Sequence, residues 1–337
     1  MPSRFERTRR WTLAASALLV AGCGGAAMAT SQASGSGGTR YATTPTSAGA
    51  INPRAIPLGD GYVSTTPKLG YVDSCQTHFG GIGGAQVVGP WIDTTAKTWN
   101  SFEKITVRGA VHWSGASYVV KIVGSKRVVK FNDLPIDHTT GVFPIASSDP
   151  AYAYDRNGNH IAAQTPVYGL SLHPTAASKP TCEGGGPIGV LDDGVMLFNA
   201  LDGEGRDAVA HEILDSCAGH PDPSNSYHHH DVPPCILSKA RDGRATLVGY
   251  ALDGYGIYVE KNAHGTLPTN TALDACHGRT SRVLWNGKLT RIYHYDATLE
   301  YPYTVGCYHG TPIGVSRGGG GSGGGPGGGA APGPPPA

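Results

Sequence analysis

The second half of the chain repeats itself, and this repeat restricts the choice of fold more than any other feature of the sequence. Each copy contains an Asp-Gly turn followed by apolar residues, then a Leu-Asp-x-Cys segment, a Tyr-His segment and a closing cysteine, in the same order. The copies span about residues 190–235 and 250–307. Self-similarity of this kind indicates one supersecondary unit that is built twice. We therefore predict two such units packed about a pseudo-two-fold axis.

Short runs of β-branched and aromatic residues precede the repeat. Residues 118–123 and 127–131 are two of them, and a Gly-Ser turn signal separates them. Strands with this spacing are typical of an antiparallel meander or sandwich. Glycine accounts for 50 of the 337 residues, and there are 16 Tyr but only 3 Met, which disfavours a helical bundle. We predict a mainly β protein, a β-sandwich or another β-rich fold with loops and few short helices.

The two ends of the chain differ in composition from the part between them. Four arginines and a short apolar run in residues 1–23 are typical of an export signal, and the run is too short to span a bilayer. Small and polar residues dominate 24–55, and Gly and Pro dominate 317–337. Such segments cannot bury enough apolar surface to offset their chain entropy. We expect a signal peptide, a disordered tether and a disordered tail around a β-rich domain at residues 56–316.

The end of the export signal resembles a lipobox. Val20-Ala21-Gly22-Cys23 is similar to the sequence at which bacterial lipoproteins are cleaved and lipidated on the cysteine. The alternative is an ordinary signal peptide with an incidental cysteine. We expect a lipid at Cys23, the membrane as a partner through this anchor, and a location in the bacterial cell envelope, in the periplasm or on the cell surface.

Cysteine usage agrees with export. The chain has seven cysteines, and lipidation of Cys23 would leave an even six, which fits three disulfides outside the cytoplasm. The absence of a C-x-x-C motif argues against a thioredoxin-type redox pair and a zinc ribbon. The repeat favours the pairs Cys217–Cys235 and Cys276–Cys307, which leaves Cys75–Cys182.

The Tyr-His segments of the repeat contain residues that could bind a metal. Side chains alternate between the two faces of a strand, so His228 and His230 share a face in the first copy. His294 and Asp296 share a face in the second copy. Pairing of the two strands about the pseudo-two-fold axis would bring these four residues together, as a donor set for Zn²⁺ or Cu²⁺. The alternative is that the histidines are structural and that Asp215 and Asp274 only cap helices or turns.

Charge and motifs limit the other functions. The 26 Lys and Arg nearly balance the 25 Asp and Glu, which argues against a nucleic-acid partner. A second hypothesis is a zinc-dependent hydrolase, because the H-E-x-x-D sequence His211-Glu212-Ile213-Leu214-Asp215 resembles H-E-x-x-H. On a helix, His211 and Asp215 would share a face and Glu212 would act as the base. The repeat has Asn270 and Thr271 at the first two of these positions, which counts against this hypothesis. A third hypothesis is a non-catalytic adhesion or carbohydrate-binding protein, and the sequence leaves open whether the protein is an enzyme.

Several motifs together resemble the YHYH-domain family of exported proteins. They occur in order over roughly residues 100–312, and include Phe131–His138, Asp215–Pro221, Tyr227–His230 with Pro234-Cys235, Gly249–Tyr258, Tyr293–Tyr295 and Glu300–Cys307. The family is named for its motif, so the resemblance implies an exported protein and assigns no reaction. His229 replaces the second Tyr of the motif. Position 229 is predicted to lie on the face opposite the ligands, so we expect a lipid-anchored, metal-binding member of this family.

Overall fold

The computed structural model describes residues 50–80 and 85–314, which belong to one unit, Ser47–Ala337. The predicted export signal, Cys23, almost all of the predicted tether and the chain from residue 315 lie outside the described residues, so the expectations about them stay predictions. No helix in the described ranges has the length and apolar character needed to cross a membrane.

Strands are far more abundant than helices among the described residues, which confirms the prediction of a mainly β protein. In the first part of the chain the strands are β1 (Ile56–Pro57), β2 (Val63–Ser64), β3 (Val72–Asp73), β4 (Ile92–Asp93), β5 (Thr98–Trp99), β6 (Tyr118–Val123), β7 (Lys126–Phe131), β8 (Val167–Ser171) and β9 (Ala176–Thr181). The later strands are β10 (Pro187–Leu191), β11 (Met196–Phe198), β12 (Gly219–Pro221), β13 (Tyr227–His229), β14 (Arg244–Ala251), β15 (Gly256–Lys261), β16 (Gly278–Trp285), β17 (Lys288–Asp296) and β18 (Tyr308–Gly310). The helices are short: α1 (Ala208–His211), α2 (Pro234–Leu237) and 3-10 turns at Pro150–Ala153 and Asn270–Ala272.

The largest sheet has eight strands in the order β12-β13-β11-β10-β14-β15-β17-β16. Its centre is the antiparallel pair β10–β14. On one side, β10 forms a hairpin with β11, β13 lies parallel to β11, and β12 is antiparallel to β13. On the other side, β14 forms a hairpin with β15, β17 lies parallel to β15, and β16 is antiparallel to β17. The pairings of the two sides therefore correspond, while the predicted pseudo-two-fold repeat stays a prediction. β13 and β17 do not pair with each other, because β11, β10, β14 and β15 lie between them.

Similar turns precede the outer strands β12 and β16. The Asp215 carboxylate accepts hydrogen bonds from the backbone N–H groups of Cys217 (2.9 Å) and Gly219 (3.2 Å), and Asp274 accepts them from Cys276 (2.9 Å) and Gly278 (3.1 Å). Asp side chains commonly close turns in this way. Both aspartates therefore cap turns.

Tyrosines connect these turns to the neighbouring strands. The Tyr227 hydroxyl donates to Asp215 at 2.9 Å, and the Tyr293 hydroxyl donates to Asp274 at 3.1 Å. Tyr295, which is fully buried, donates to Asp253 at 2.6 Å. Buried phenol groups need such partners, because an unpaired buried hydroxyl is costly. The tyrosine side of each Tyr-His strand therefore faces the interior.

Two apolar clusters contain most of the core. One packs against the large sheet and includes Ile188, Val248, Ile257, Tyr295 and Val305. The other joins the N-terminal part to α1 and includes Ile56, Trp91, Trp99, Val209 and Ile213. The second cluster fixes the position of α1, and with it the residue that follows α1.

Three disulfides link the described part of the chain. They are Cys75–Cys182, Cys217–Cys235 and Cys276–Cys307, with Cα–Cα distances of 5.1, 5.5 and 4.5 Å. The structure thus pairs the six cysteines as predicted. Disulfides persist mainly outside the reducing cytoplasm, so this pairing is consistent with an extracellular protein.

Gly249 lies in the central pair of the large sheet, and we expect Gly249→Ala to destabilise the fold. A Cβ atom there would lie 2.5 Å from the Val190 carbonyl oxygen, so β10 and β14 would have to separate. The expected loss is about 2–3 kcal/mol in the free energy of unfolding, the upper range for overpacking. Denaturant unfolding with the disulfides intact measures it. Gly115→Ala is the control, because its Cβ would meet no atom within 4 Å; equal losses for the two variants would contradict the prediction.

Candidate metal centre

Four ionisable side chains from neighbouring segments converge at one edge of the large sheet. His220 on β12 lies directly opposite His228 on β13, and His230 follows two residues later on the same face. Glu212 directly follows α1 and has an extended backbone. All four residues are buried, with at most 6% of their surface exposed.

The donor atoms of these residues face one another at short range. The His230 Nε2 atom lies 3.2 Å from His228 Nε2 and 3.4 Å from His220 Nε2. The Glu212 Oε2 atom lies 2.9 Å from the Nε2 atoms of both His220 and His230. Ligand atoms at zinc distances of 2.0–2.1 Å in a tetrahedron are separated by about 3.3 Å. The four separations given above, 2.9–3.4 Å, are near this value. The ligand atoms of the three histidines all lie within 4.8 Å of one another, in a group that does not include Glu212.

The other ring nitrogens fix the tautomers of two histidines. His228 Nδ1 lies 3.2 Å from the Ser226 carbonyl oxygen, and His230 Nδ1 lies 2.5 Å from the Asn199 carbonyl oxygen. A carbonyl oxygen only accepts, so each Nδ1 carries the hydrogen and each neutral ring has its lone pair on Nε2. Histidines that bind metals usually donate their other N–H to a carbonyl in this way. When both rings are neutral, the Nε2 lone pairs of His228 and His230 therefore face each other, and a cation bound between them would remove their repulsion.

Glu212 provides negative charge beside these lone pairs. Its Oε2 atom is buried and has no partner with hydrogen-bond geometry among the described residues, despite the two close nitrogen atoms. Burial by itself would raise the pKa of Glu212, but the His220 and His230 rings hold that pKa well below its usual range. Burial, together with the rings of His220 and His230, lowers the pKa of His228 well below its usual range. A carboxylate beside three imidazoles is a donor set for a divalent transition metal.

His230 shows that a metal and a proton would compete for this cluster. Burial opposes protonation of the His230 ring, but the neighbouring Glu212 carboxylate raises its pKa above the usual value. Metal ligands must be deprotonated, so binding of a metal would release this proton.

The cluster forms part of the wall of a cavity of about 470 Å³. Phe198 stacks on the His228 ring with 4.0 Å between ring centroids and also lines the cavity. Much of the remaining wall is polar and includes Asp155, Asn157, Asn159, Asp202 and Asp222. A ligand of moderate size could therefore lie beside the four residues of the cluster.

Comparison with known proteins agrees with the resemblance seen in the sequence. Residues 167–270 match the YHYH protein family. The match includes all four residues of the cluster and ends before β16 and β17. No curated protein and no solved structure matches the chain.

Of the four predicted ligands, only His228 and His230 belong to the cluster with His220 and Glu212. His294 and Asp296 lie on β17, on the other side of the central pair β10–β14. The prediction assumed that β13 and β17 pair, whereas four strands separate them, so the structure does not bring His228 and His230 together with His294 and Asp296.

His294 and Asp296 belong to a second cluster, with Glu260. His294 Nδ1 lies 3.2 Å from Asp296 Oδ1, and its Nε2 lies 2.9 Å from the Ser281 hydroxyl. The Arg279 guanidinium contacts Glu260 and lies 2.7 Å from Asp296. Arg279 already supplies a cation to these carboxylates, so this cluster is a weaker metal candidate.

The H-E-x-x-D hypothesis fails for two of its three residues. α1 ends at His211, so no helix places His211 and Asp215 on a common face. The His211 Nε2 atom lies 2.9 Å from Asp60, and the Asp215 carboxylate is occupied by hydrogen bonds within its turn and from Gly141 and Tyr227. Glu212 is the one member that reaches the histidine cluster.

His229 lies on the face opposite His228 and His230, as strand alternation predicts. Its Nε2 atom lies 3.0 Å from Asp193 Oδ2, and its Nδ1 lies 3.0 Å from the Ala218 carbonyl oxygen. His229 also approaches His138 and Cys217, but Cys217 forms a disulfide and cannot ligate a metal as a thiolate.

No sequence pattern had indicated His220 as a ligand, and the H-E-x-x-D pattern had indicated Glu212 only as a general base. The pattern Cys-Ala-Gly-His before the Tyr-His strand was a usable signal for His220, because a short hairpin would place it opposite the strand histidines. Comparison of the two copies hid it, since Arg279 occupies the matching position in the second copy.

Proposed function

We propose that this protein is exported and binds a divalent transition metal through His220, His228 and His230, with Glu212 as the fourth ligand. The observation that supports this most directly is the approach of the His228 and His230 Nε2 atoms to 3.2 Å, while the Nδ1 atom of each ring faces a backbone carbonyl.

Zinc is the metal that fits this donor set best. Three imidazoles and a neighbouring carboxylate match zinc sites, and the known separations between donor atoms, 2.9–3.4 Å, are compatible with a tetrahedron. Cu²⁺ prefers a square-planar arrangement, so we rank it second.

Elemental analysis tests this proposal. Protein purified without a polyhistidine tag, with its disulfides intact, is expected to contain one zinc per chain after equilibration with a small excess of zinc and removal of the unbound metal. Removal of the metal with a chelator and its return should be reversible. Metal-free protein that takes up neither zinc nor copper would show that the histidines are structural.

Export and lipid attachment are a second part of the proposal. All six cysteines of the described residues are paired, so a lipid on Cys23 would leave no free thiol among the seven. Mass spectrometry of the protein from membranes should find a lipidated N-terminus at residue 23, and after Cys23→Ser a high-salt wash should release the protein from the membrane fraction.

A hydrolytic enzyme is the second candidate function, and the cavity favours it. The four residues of the cluster line a space of about 470 Å³. A zinc ion held by His220, His228 and His230 would supply a Lewis acid that polarises a carbonyl or a water molecule. In that case Glu212 would serve as the general base, so Glu212→Gln should keep the metal and lose chelator-sensitive hydrolysis. Metal binding with no catalysed reaction would instead agree with the adhesion or carbohydrate-binding role.

His229→Tyr is expected to leave metal affinity nearly unchanged. Position 229 faces Asp193, and Tyr295 makes the corresponding contact with Asp253 through its hydroxyl, so a tyrosine has a partner there. Isothermal titration calorimetry with zinc measures the affinity. A large loss for His229→Tyr, with His228→Ala unaffected, would contradict the assignment of strand faces.

A further inference from the structure

Two hairpins that are far apart in sequence meet at one end of the described structure. They are residues 118–131, which contain β6 and β7, and residues 278–292, which contain β16 and most of β17. The Arg127 guanidinium donates to the Asn286 side chain at 2.5 Å across a separation of 159 residues. The Arg127 side chain also lies over the Trp285 ring. We call this region the hairpin end.

Large aliphatic side chains are exposed on the hairpin end. Leu284 is 60% exposed and Leu289 is 67% exposed, and these two residues are directly opposite each other on β16 and β17. On the other hairpin, Ile122 is 56% and Val123 is 59% exposed. Leu284 and Leu289 lie side by side, and apolar side chains exposed together are typical of an interaction surface.

The charge of the hairpin end has one sign. Each of the two segments contains four Lys or Arg and no Asp or Glu, in a chain where the two signs nearly balance. Arg127 and Arg279 have partners within the protein. The remaining six cations are exposed and have no ion pair within residues 50–80 and 85–314; they are Lys121, Lys126, Lys130, Arg282, Lys288 and Arg291.

Two of these cations oppose each other directly. Arg282 pairs with Arg291 in the register of β16 and β17, on the same face as Leu284 and Leu289. Like charges in directly opposite positions destabilise a sheet unless a counter-charge lies nearby. An anionic partner would remove this repulsion.

We propose that the hairpin end binds the surface of a membrane that contains anionic phospholipids. The exposed aliphatic side chains would enter the boundary between headgroups and acyl chains, and the cations would contact the phosphate groups. A nucleic acid or another polyanion would satisfy the cations but would leave the leucines in water. The proposal is independent of the metal centre, and it gives the chain a membrane contact besides the lipid expected at Cys23.

A fluorescent reporter on the hairpin end tests the proposal. In the full chain with Cys23→Ser, an environment-sensitive dye on Leu289→Cys should shift to the blue with phosphatidylcholine vesicles that contain phosphatidylglycerol, and not with phosphatidylcholine alone. The matched control is the same dye on Phe102→Cys, since Phe102 is 66% exposed and lies outside the hairpin end. The N-terminal leader is identical in both proteins, so only the hairpin end distinguishes them.

Charge variants test the electrostatic part. Arg282→Gln combined with Arg291→Gln should weaken binding to the anionic vesicles about 30-fold, at roughly tenfold per 1.4 kcal/mol and about 1 kcal/mol per basic residue. Arg241→Gln with Arg244→Gln, two exposed arginines elsewhere, should leave it unchanged. The proposal is overturned if the dye at position 289 does not shift, if the dye at position 102 shifts equally, or if the two charge variants behave alike. Binding to heparin without a dye shift on vesicles would overturn it in favour of a polyanionic partner.

Discussion

Replacement of His228 with alanine is expected to abolish high-affinity zinc binding. The Nε2 atoms of His220, His228 and His230 lie within 4.8 Å of one another, and no other imidazole belongs to this group among the described residues. Loss of a residue that only orients a metal ligand usually lowers affinity 10–100-fold, so loss of a ligand should lower it by at least about 100-fold. His220→Ala and His230→Ala should have effects of the same size. Competition titration with a zinc-binding dye measures all three.

His294→Ala is the matched control for this experiment. His294 is a buried histidine on β17, and its position corresponds to that of His228 on β13. His294 lies opposite Arg279 of β16, just as His228 lies opposite His220 of β12. We expect this variant to retain zinc affinity. If His294→Ala loses zinc together with His228→Ala, the ligand set predicted from the sequence is correct and the cluster with His220 and Glu212 is not the site. Since His228→Ala removes a buried side chain, His228→Gln and a circular dichroism spectrum check that the fold survives.

Replacement of Asp215 with alanine should destabilise the protein strongly. The buried carboxylate accepts hydrogen bonds from four groups: the backbone N–H groups of Gly141, Cys217 and Gly219, and the Tyr227 hydroxyl. Each buried donor left without a partner costs about 1–3 kcal/mol. We expect a loss of about 4 kcal/mol in the free energy of unfolding, which is in the range seen when a buried hydrogen-bond network is broken.

Asp274→Ala supplies the comparison within the same chain. Asp274 makes the same contacts with a turn and a tyrosine, but it is exposed, so water can replace the lost acceptor. Its expected loss is about 1 kcal/mol, as for an ordinary hydrogen bond. Guanidinium unfolding under non-reducing conditions measures both variants. Equal losses would show that burial of Asp215 adds nothing, and a loss of zinc in a folded Asp215→Asn protein would revive the H-E-x-x-D hypothesis.

Features that depend on neighbouring residues were predictable from the sequence. Alternation along a strand placed His228 and His230 on one face and His229 on the other, because successive side chains of a strand point in opposite directions whatever the strand pairs with. The β-rich class followed from the composition and the spacing of turn signals. The matching cysteines of the two copies gave two disulfides, and the third followed by elimination.

Features that depend on the order of strands were decided only by the tertiary structure. The sequence predicted that β13 and β17 pair, but β10 and β14 form the central contact, so the two Tyr-His strands lie on opposite sides of the sheet. The partners of His228 and His230 are therefore His220, from the adjacent strand, and Glu212, which α1 places beside them. The length of α1 was also unpredictable from its residues, because it ends at His211, four residues before the turn that Asp215 caps. Side-chain alternation is a property of the local backbone, whereas the choice of neighbouring strand depends on packing between segments distant in the chain, and a local pattern does not encode it.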